Sequence, residues 1–412
     1  MLWRAGLRGA GTGHEAAGPG GPAPADMIGA MTDWDVTSRR FELFIDREVH
    51  ESSPLYAALS RYVSDDIAAG GAFTEVLAQA PQRQRIPNLL FASVQRVLFD
   101  HAEDPLAAYY PSLGGTRDPD DALPETFARF VAAHRAEIDP LLATGETQTN
   151  EVRRSAQLFP AFGWVRAATR RPLGLIEIGP SAGLLLHADR YDYRYEFADG
   201  TVVRGGAAVA DGVPPLHCAV RGACRPEQLA PFVAKELRVA SRVGLDLNPL
   251  DPSDPDARAW LRALLWPEHA ERRERLDAAL EHAARRPVRL RKGDALRILG
   301  DAVESVAENA VPCVFVSNSL PHWSPEGRAE LVALVRELGA RRDLVFVVKE
   351  AFRVGLGLFS GGPDPAVEPG HDAHEVLGAV VYLGGRERLY RLGAAGMHGA
   401  WLEWEPKLLA GV

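Results

Sequence analysis

Polar side chains follow two apolar runs of the sequence whose length and content indicate buried strands. Asn318 and His322 come after the run Val311–Val316, and Glu350 comes after Leu344–Val348. Open α/β sheets keep their chemistry just beyond the carboxyl ends of the strands. An amide can orient an amine or hydroxyl nucleophile, and an imidazole or a carboxylate can accept its proton. We therefore predict catalytic roles for Asn318, His322 and Glu350.

Each of these residues also has an ordinary structural interpretation. His322 could pack beside Trp323 in a loop, and Glu350 could be the partner of Lys349. Ser319 lies in the first of these loops, and we predict that it binds substrate.

The elements that must position these side chains begin with a short apolar run, Leu173–Ile178, which reads as a buried parallel strand. A small-residue stretch from Gly179 to Gly183 follows, and then a second apolar run, Leu184–Leu186. A strand, a tight turn and a helix form the opening unit of a nucleotide-binding sheet. Glycines let the backbone approach a ligand, and the new helix presents free N–H groups. Glu177, near the strand end, could accept hydrogen bonds from the hydroxyls of a ribose.

Two more acidic residues stand at predicted strand ends. A strand that begins near Arg242 ends at Asp246, where a carboxylate could hold the ribose of an adenosyl group. Asp294 follows the next predicted strand and is placed to meet an adenine amino group. Asp246 lies 63 residues after Gly183, whereas the usual spacing is about 20. The alternative is that Asp246 only caps the turn that follows it.

An insertion explains the long spacing. Residues 191–197 alternate with period two, and Asp199-Gly200 is a strong hairpin signal before the next run. Leu216 to Val220 could add a strand. We predict a β insertion over residues 189–231 that could cover a ligand cleft.

A polar stretch, Gln148 to Glu151, precedes the helix before the first predicted strand. Thr149 or Asn150 could cap that helix, with Glu151 favourable in its first turn. The stretch could also face the cleft above the Gly179 turn. The two interpretations are compatible, and we predict that Asn150 and Glu151 bind substrate.

Residues 173–404 resemble a class I S-adenosylmethionine-dependent methyltransferase domain. The first motif of that family has the form acidic-x-Gly-x-Gly-x-Gly. Glu177, Gly179 and Gly183 match it, and Ser181 stands where the family has its middle glycine.

The resemblance implies an α/β fold with a Rossmann-like methyltransferase sheet and closing antiparallel strands. It also implies S-adenosylmethionine as cofactor and a small-molecule methyl acceptor. Glu177, Gly179, Ser181 and Gly183 would bind the cofactor. Asp246 and Asp294 match the acidic positions after the second and third strands and would bind it too.

Two other functions remain open from the sequence. The Pro-Pro-aromatic part of the amine methyltransferase motif does not follow Asn318, which favours a non-catalytic Rossmann domain that senses a nucleotide or scaffolds partners. A dinucleotide-dependent oxidoreductase is the other alternative. It is disfavoured because Ser181 occupies the second glycine of Gly-x-Gly-x-x-Gly, where the backbone must approach a pyrophosphate.

The whole chain also resembles an uncharacterised bacterial family known only as a domain of unknown function. This resemblance implies no established reaction. The segments that carry it are Pro87–Leu90, Leu106–Pro111, Thr149–Val152, the Gly179 turn, Gly244–Asp251 and His398–Trp404.

The pattern predicts three regions. Residues 1–30 are rich in Gly, Ala and Pro and are predicted to be disordered. Apolar residues at helical spacing predict a helical domain over 31–170. Residues 171–412 would form the Rossmann-like methyltransferase domain, with the insertion at 189–231.

Composition bounds the remaining function classes. The formal net charge of −9 argues against a broad nucleic-acid footprint. The sequence contains no apolar run of about 18 residues, the length that would predict a membrane span. Three cysteines without CxxC spacing suggest reduced thiols in a cytoplasmic protein. His371 and His374 lack further ligands in sequence, so we predict no metal site.

Overall fold

The computed structural model describes most of the chain, in the ranges 32–50, 52–148, 150–207, 212–361 and 375–411. The predicted disordered segment 1–30 and the pair His371 and His374 lie outside the described residues. No helix among the described residues has the length and apolar content to cross a bilayer.

The chain divides into two compact units. Unit 1 is formed by residues 1–147 and 262–270, and unit 2 by residues 148–261 and 271–412. The polar stretch from Gln148 onward therefore belongs to unit 2.

All the regular secondary structure in the described residues of unit 1 is helical. Its α-helices are α1 Asp33–Phe44, α2 Pro54–Ala68, α3 Ala72–Leu77, α4 Pro87–Leu98, α5 Leu123–Ala133 and α6 Arg135–Thr144. Helix α2 begins at Pro54, and Ser53 caps it by accepting from the Tyr56 amide at 3.2 Å. Aromatic rings fill the core of this unit, with Phe91 in contact with Phe41, Tyr56 and Phe127.

The segment 262–270 belongs to unit 1 because its polar groups are bonded there. The Ser53 hydroxyl donates to Glu268 Oε2 at 2.7 Å. The buried Gln95 amide donates to the carbonyls of Ala263 at 2.9 Å and Leu265 at 2.7 Å. Buried polar groups need such partners, so these bonds fix the segment in place.

Unit 2 is built on one sheet, which has eleven strands in the described residues, in the order β3-β2-β4-β11-β10-β9-β8-β7-β1-β5-β6. The strands are β1 Leu173–Ile178, β2 Asp192–Phe197, β3 Val202–Gly206, β4 Leu216–Arg221, β5 Val239–Asp246, β6 Arg289–Lys292, β7 Val311–Ser317, β8 Leu344–Glu350, β9 Glu375–Leu383, β10 Arg386–Ala395 and β11 Trp401–Gly411. The helices that lie wholly or mainly in unit 2 are α7 Ser155–Thr169, α8 Pro226–Val233, α9 Pro255–Ala263, α10 Ala270–Arg285, α11 Ala295–Glu304, α12 Pro325–Arg341 and α13 Gly357–Ser360.

The five strands β6-β5-β1-β7-β8 are parallel. Every residue of β1, β7 and β8 is buried, as expected when both faces of a parallel sheet are covered. Chain order reverses between β1 and β7, and such a reversal is where open α/β sheets bind ligands. The predicted α/β class is confirmed as a mixed fold with a large, mostly parallel sheet and many helices.

The segment predicted as an insertion, residues 189–231, contributes strands β2, β3 and β4 to the same sheet. β2 and β3 form the hairpin that Asp199-Gly200 predicts, and β4 pairs with β11 in parallel, with Trp401 opposite Ala219. Strands β7 to β11 separate β4 from β1, so the insertion extends the far edge of the sheet. The closing strands β9, β10 and β11 form an antiparallel meander.

The predicted helix after β1 is wrong. Residues Leu184–Arg190 form a seven-residue 3₁₀ segment. The Tyr191 hydroxyl donates to the Leu184 carbonyl at 2.8 Å, and Arg242 Nε donates to the Leu186 carbonyl at 3.0 Å. Because side chains take carbonyls that an α-helix would pair with its own amides, the segment does not continue as an α-helix.

Candidate functional site

The bend after β1 has an unusual backbone. Gly179, Ser181 and Gly183 all have positive φ, at 73°, 52° and 73°. Only glycine adopts this region readily, so Ser181 is held there by its surroundings. A Cβ on Gly179 would lie 2.6 Å from the hydroxyl of Ser319, which follows β7. The bend after β1 and the loop after β7 are therefore closely packed where Gly179 meets Ser319.

The carboxylate of Asp246 lies against this bend. Its Oδ2 accepts from the Ser181 amide at 2.8 Å, and its Oδ1 accepts from the Asn248 amide at 2.8 Å. The second bond is the turn-capping role that the sequence left open. The first shows that the end of β5 and the bend after β1 meet, as the register of Leu245 opposite Ile178 requires.

The remaining amides of the bend also have acceptors inside the protein. Ala182 N–H donates to Asn150 Oδ1 at 3.5 Å, and Gly183 N–H donates to the Pro180 carbonyl at 2.8 Å. The Ser181 hydroxyl donates to Gln148 and accepts from Asn150 Nδ2 at 2.9 Å. The structure thus brings Asn150 to the bend, and it leaves no row of free N–H groups there for a phosphate.

Glu151 has a structural role at the start of the next helix. It caps the 3₁₀ turn Val152–Arg154 by accepting from the Arg153 amide at 3.1 Å. The prediction that Asn150 caps the start of this helix is therefore wrong, and Thr149, the other predicted cap, lies outside the described residues. Glu151 is buried, and its Oε2 lies 2.7 Å from Arg272 Nε on α10. Burial lowers the pKa of Arg272, and Glu151 opposes that effect.

A buried charged cluster, formed by Arg154, Glu177 and Glu350, lies at the carboxyl ends of β1 and β8. Each residue is no more than 2% exposed. Burial raises the pKa of Glu177 to about 8; the charge of Asp246 adds to this effect and Arg154 opposes it. Burial likewise raises the pKa of Glu350 to about 8. Groups with such pKa values in an α/β switch region are candidates for proton transfer.

Polar atoms of this cluster remain without hydrogen-bond partners within the described residues. They are Arg154 Nε and Nη2, Glu177 Oε2 and Glu350 Oε2. Within the described ranges, Arg154 Nη1 has one hydrogen bond, to the Ser317 carbonyl at 3.5 Å. Buried, unpaired polar groups are costly, so their presence here points to a place where a polar ligand or a proton is handled.

Glu350 also shapes the loop after β7. Its Oε1 accepts from the amides of Ser319 at 2.8 Å and Leu320 at 3.2 Å. The ion pair of Lys349 is with Glu375, so the alternative in which Glu350 is its partner is wrong. The reason is that adjacent strand residues point to opposite faces.

Two predicted catalytic residues in the loop after β7 differ in burial. Asn318 has a φ of 56°, and its Oδ1 is buried without a hydrogen-bond partner in the part of the chain that is described. His322 is exposed at the end of the 3₁₀ turn Leu320–His322. The buried Oδ1 at the end of β7 is compatible with the predicted role of Asn318 in orienting a nucleophile.

Two predicted cofactor residues have clear structural partners. Asp294 is exposed and caps α11 by accepting from the Leu296 amide at 3.0 Å. A Cβ on Gly183 would meet Val288 at 3.0 Å and Leu290 at 3.2 Å, so this glycine allows the bend to pack on the sheet edge. Their roles toward a cofactor stay predictions.

Arg154 is the residue of this site that sequence reasoning missed. It follows a second arginine and precedes an apolar helix, a position typical of a solvated side chain. Nothing local distinguishes the buried Arg154 from the half-buried Arg153, whose Nε donates to the His398 carbonyl at 3.1 Å. The only available signal was its closeness in sequence to the polar stretch that faces the bend.

These features define an α/β protein with polar and ionisable side chains gathered at the carboxyl ends of central parallel strands. The chain belongs to the family described as "Uncharacterized protein conserved in bacteria (DUF2332)", which matches residues 38–404. The predicted resemblance to an uncharacterised bacterial family is thereby confirmed. No curated protein matches the chain.

Proposed function

We propose that unit 2 is an S-adenosylmethionine-dependent methyltransferase that acts on a small molecule. The observation that carries the proposal is the carboxylate of Asp246, which stands at the end of the strand next to β1 and is bonded to the bend that follows β1. A carboxylate at this point of a doubly wound sheet is suited to the hydroxyls of a ribose.

The hydrogen bonds of the bend favour an adenosyl ligand without phosphates. The amides of residues 181–183 have protein acceptors, which argues against a dinucleotide whose pyrophosphate needs free N–H groups. Asp246 uses each carboxylate oxygen for one backbone amide. A carboxylate offers about four lone-pair sites, so two remain for the adjacent hydroxyls of one ribose.

The chemistry needs alignment, exclusion of water and an acceptor for the proton of the nucleophile. Bound S-adenosylmethionine would supply a methyl group on a positively charged sulfur. Glu350 is the proton acceptor in this proposal, because its Oε2 has no partner among the described residues and, with a pKa of about 8, the minor ionised fraction present at neutral pH is a strong base. Glu177 lies near the carboxyl end of β1, at the same edge of the sheet as Glu350. The Asn318 amide would orient the nucleophile.

Calorimetry of the full chain with S-adenosylmethionine and S-adenosylhomocysteine tests the binding. We expect one equivalent to bind, and Asp246→Asn to weaken affinity about 10- to 100-fold, the worth of hydrogen bonds to a charged group. Asp301→Asn, on the exposed surface of α11, is the matched control and should bind as the unaltered chain does. Absence of binding at about 1 mM ligand would overturn the proposal.

Turnover is tested separately, by transfer of a labelled methyl group to a panel of amine and hydroxyl acceptors. We expect Glu350→Gln to bind S-adenosylmethionine normally and to lose transfer. Binding without transfer to any acceptor would support a non-catalytic nucleotide-binding domain and would contradict the enzyme.

A further inference from the structure

Unit 1 holds a second group of chemically capable side chains, unrelated to the strand ends of unit 2. His101, His134 and Glu137 bring two imidazole nitrogens and a carboxylate together, and the three ligand atoms lie within 4.8 Å of one another. His134 Nδ1 is 2.9 Å from Glu137 Oε1, and His101 Nε2 is 3.1 Å from Glu137 Oε2. Two imidazoles and one carboxylate are a ligand set that zinc uses in proteins.

Helix ends hold these side chains in place. His134 stands at the corner where α5 ends and α6 begins, and its amide donates to the Phe130 carbonyl at 3.0 Å. Glu137 follows on the first turn of α6, where its amide donates to the His134 carbonyl at 3.0 Å. His101 follows the end of α4, and its amide donates to the Leu98 carbonyl at 3.1 Å.

Packing orients the two rings. The His101 and His134 rings have centroids 4.1 Å apart. Both also contact the buried ring of Phe130, at 6.3 Å and 4.4 Å. Ligands whose rotamers are fixed by packing lose little freedom when an ion binds, which favours a defined site.

The spacing of the ligand atoms suits a small divalent ion. At zinc–ligand distances of about 2.1 Å, two ligands of a tetrahedral ion are about 3.4 Å apart. The pairs at 2.9 Å and 3.1 Å need to spread by about half an ångström or less to reach that separation. The side chains of His101, His134 and Glu137 are 29%, 19% and 47% exposed, so solvent can supply the remaining ligand and the ion has an entry path.

We propose that His101, His134 and Glu137 form a binding site for one divalent metal ion of the zinc class. The carboxylate supplies the negative charge, and the neutral imidazoles supply nitrogen lone pairs. The sequence concealed the site because His101 lies 33 residues before His134.

Titration of the metal-free full chain with Zn²⁺, followed by calorimetry, tests the site, and Co²⁺ serves as a spectroscopic substitute. We expect one equivalent at micromolar affinity and d–d absorption typical of nitrogen and oxygen ligands. Loss of a residue that only hydrogen-bonds to a metal ligand lowers metal affinity about 10- to 100-fold. Glu137 is proposed as a ligand itself, so Glu137→Gln should lower Zn²⁺ affinity at least about 100-fold. The Gln side chain can still accept from both imidazoles, which preserves the fold.

His50→Gln and Glu125→Gln are the matched controls, because both residues are exposed in the same unit. They should leave Zn²⁺ affinity unchanged. Carbethoxylation of the unaltered chain, read by mass spectrometry, gives a measurement that needs no variant: Zn²⁺ should protect His101 and His134 and leave His50 reactive. Absence of stoichiometric binding, equal losses in the controls, or no selective protection would overturn the proposal. None of these results depends on whether S-adenosylmethionine binds to unit 2.

Discussion

The bend after β1 and the buried charged cluster lie at the same edge of the sheet, but their polar groups are treated differently. In the bend, the amides of Ser181, Ala182 and Gly183 all have protein acceptors. In the cluster, Arg154 and Glu350 keep buried atoms without partners in the described part of the chain.

This difference separates a rigid frame from the centre that we propose to be reactive. Hydrogen bonds that are made internally fix the bend and the carboxylate of Asp246 in one geometry. Unpaired buried charges cost free energy, and such strain is kept where function uses it. The bend therefore holds the carboxylate of Asp246 in position, and the cluster is where we expect proton chemistry.

The strongest way to break the comparison is to remove the cation of the cluster. Arg154→Met replaces a buried guanidinium, whose Nε and Nη2 have no partner among the described residues, with an apolar side chain, and we expect the free energy of unfolding to rise by about 1–4 kcal/mol. Urea denaturation at neutral pH measures it. Arg153→Met is the control and should cost about 1 kcal/mol, the worth of one hydrogen bond. A loss of stability in Arg154→Met, as in the control, would contradict the unpaired state of the buried guanidinium.

The second prediction concerns pH. Burial raises the pKa of Glu350 from its ordinary 4.5 to about 8. Between these values the folded chain holds a proton that the unfolded chain releases, so Glu350 lowers stability progressively as pH rises. Glu350→Gln stays neutral and should match the unaltered chain near pH 4.5 and exceed it by a few kcal/mol near pH 8.

Parallel urea denaturation series across that pH range measure the difference between the two proteins. Glu304→Gln, on the exposed end of α11, is the control and should show no such trend. A constant difference between Glu350→Gln and the unaltered chain would contradict the raised pKa of Glu350.

A third test sharpens the role of the bend as a frame. Gly179→Ala adds a Cβ at a φ of 73° and against the Ser319 hydroxyl, and we expect it to cost about 2–3 kcal/mol. Gly384→Ala has a similar φ of 59° with open space around it, so it should cost about 1–2 kcal/mol. Thermal unfolding of both variants isolates the contribution of the contact. If Gly179→Ala lost no more stability than Gly384→Ala, the Ser319 side chain would have moved away from the new Cβ at little cost.

The smallest expected effect is at the hydroxyl of Ser181. Ser181→Ala removes its bonds to Gln148 and Asn150 and should cost about 1 kcal/mol. A double-mutant cycle with Asn150→Ala measures the coupling between the two side chains. Strict additivity would indicate that the Asn150 contact contributes nothing to the frame.

The sequence by itself determined the strands of the central sheet and the polar character of their ends. The runs that became β1, β7 and β8 are apolar except for Glu177 of β1, and a strand buried on both faces needs no partner information to be recognised. Asp199-Gly200 likewise specified a hairpin locally.

Tertiary structure decided what the polar residues do. The helix expected after β1 became a 3₁₀ segment because the Tyr191 hydroxyl, just after the segment, and Arg242 from the distant strand β5 take its carbonyls. Glu350 bonds the loop after β7 and not its neighbour Lys349, and His101 meets His134 across two helices. Periodicity is a local property that a sequence displays, whereas a hydrogen-bond partner is chosen by strand register and helix packing between residues far apart in the chain.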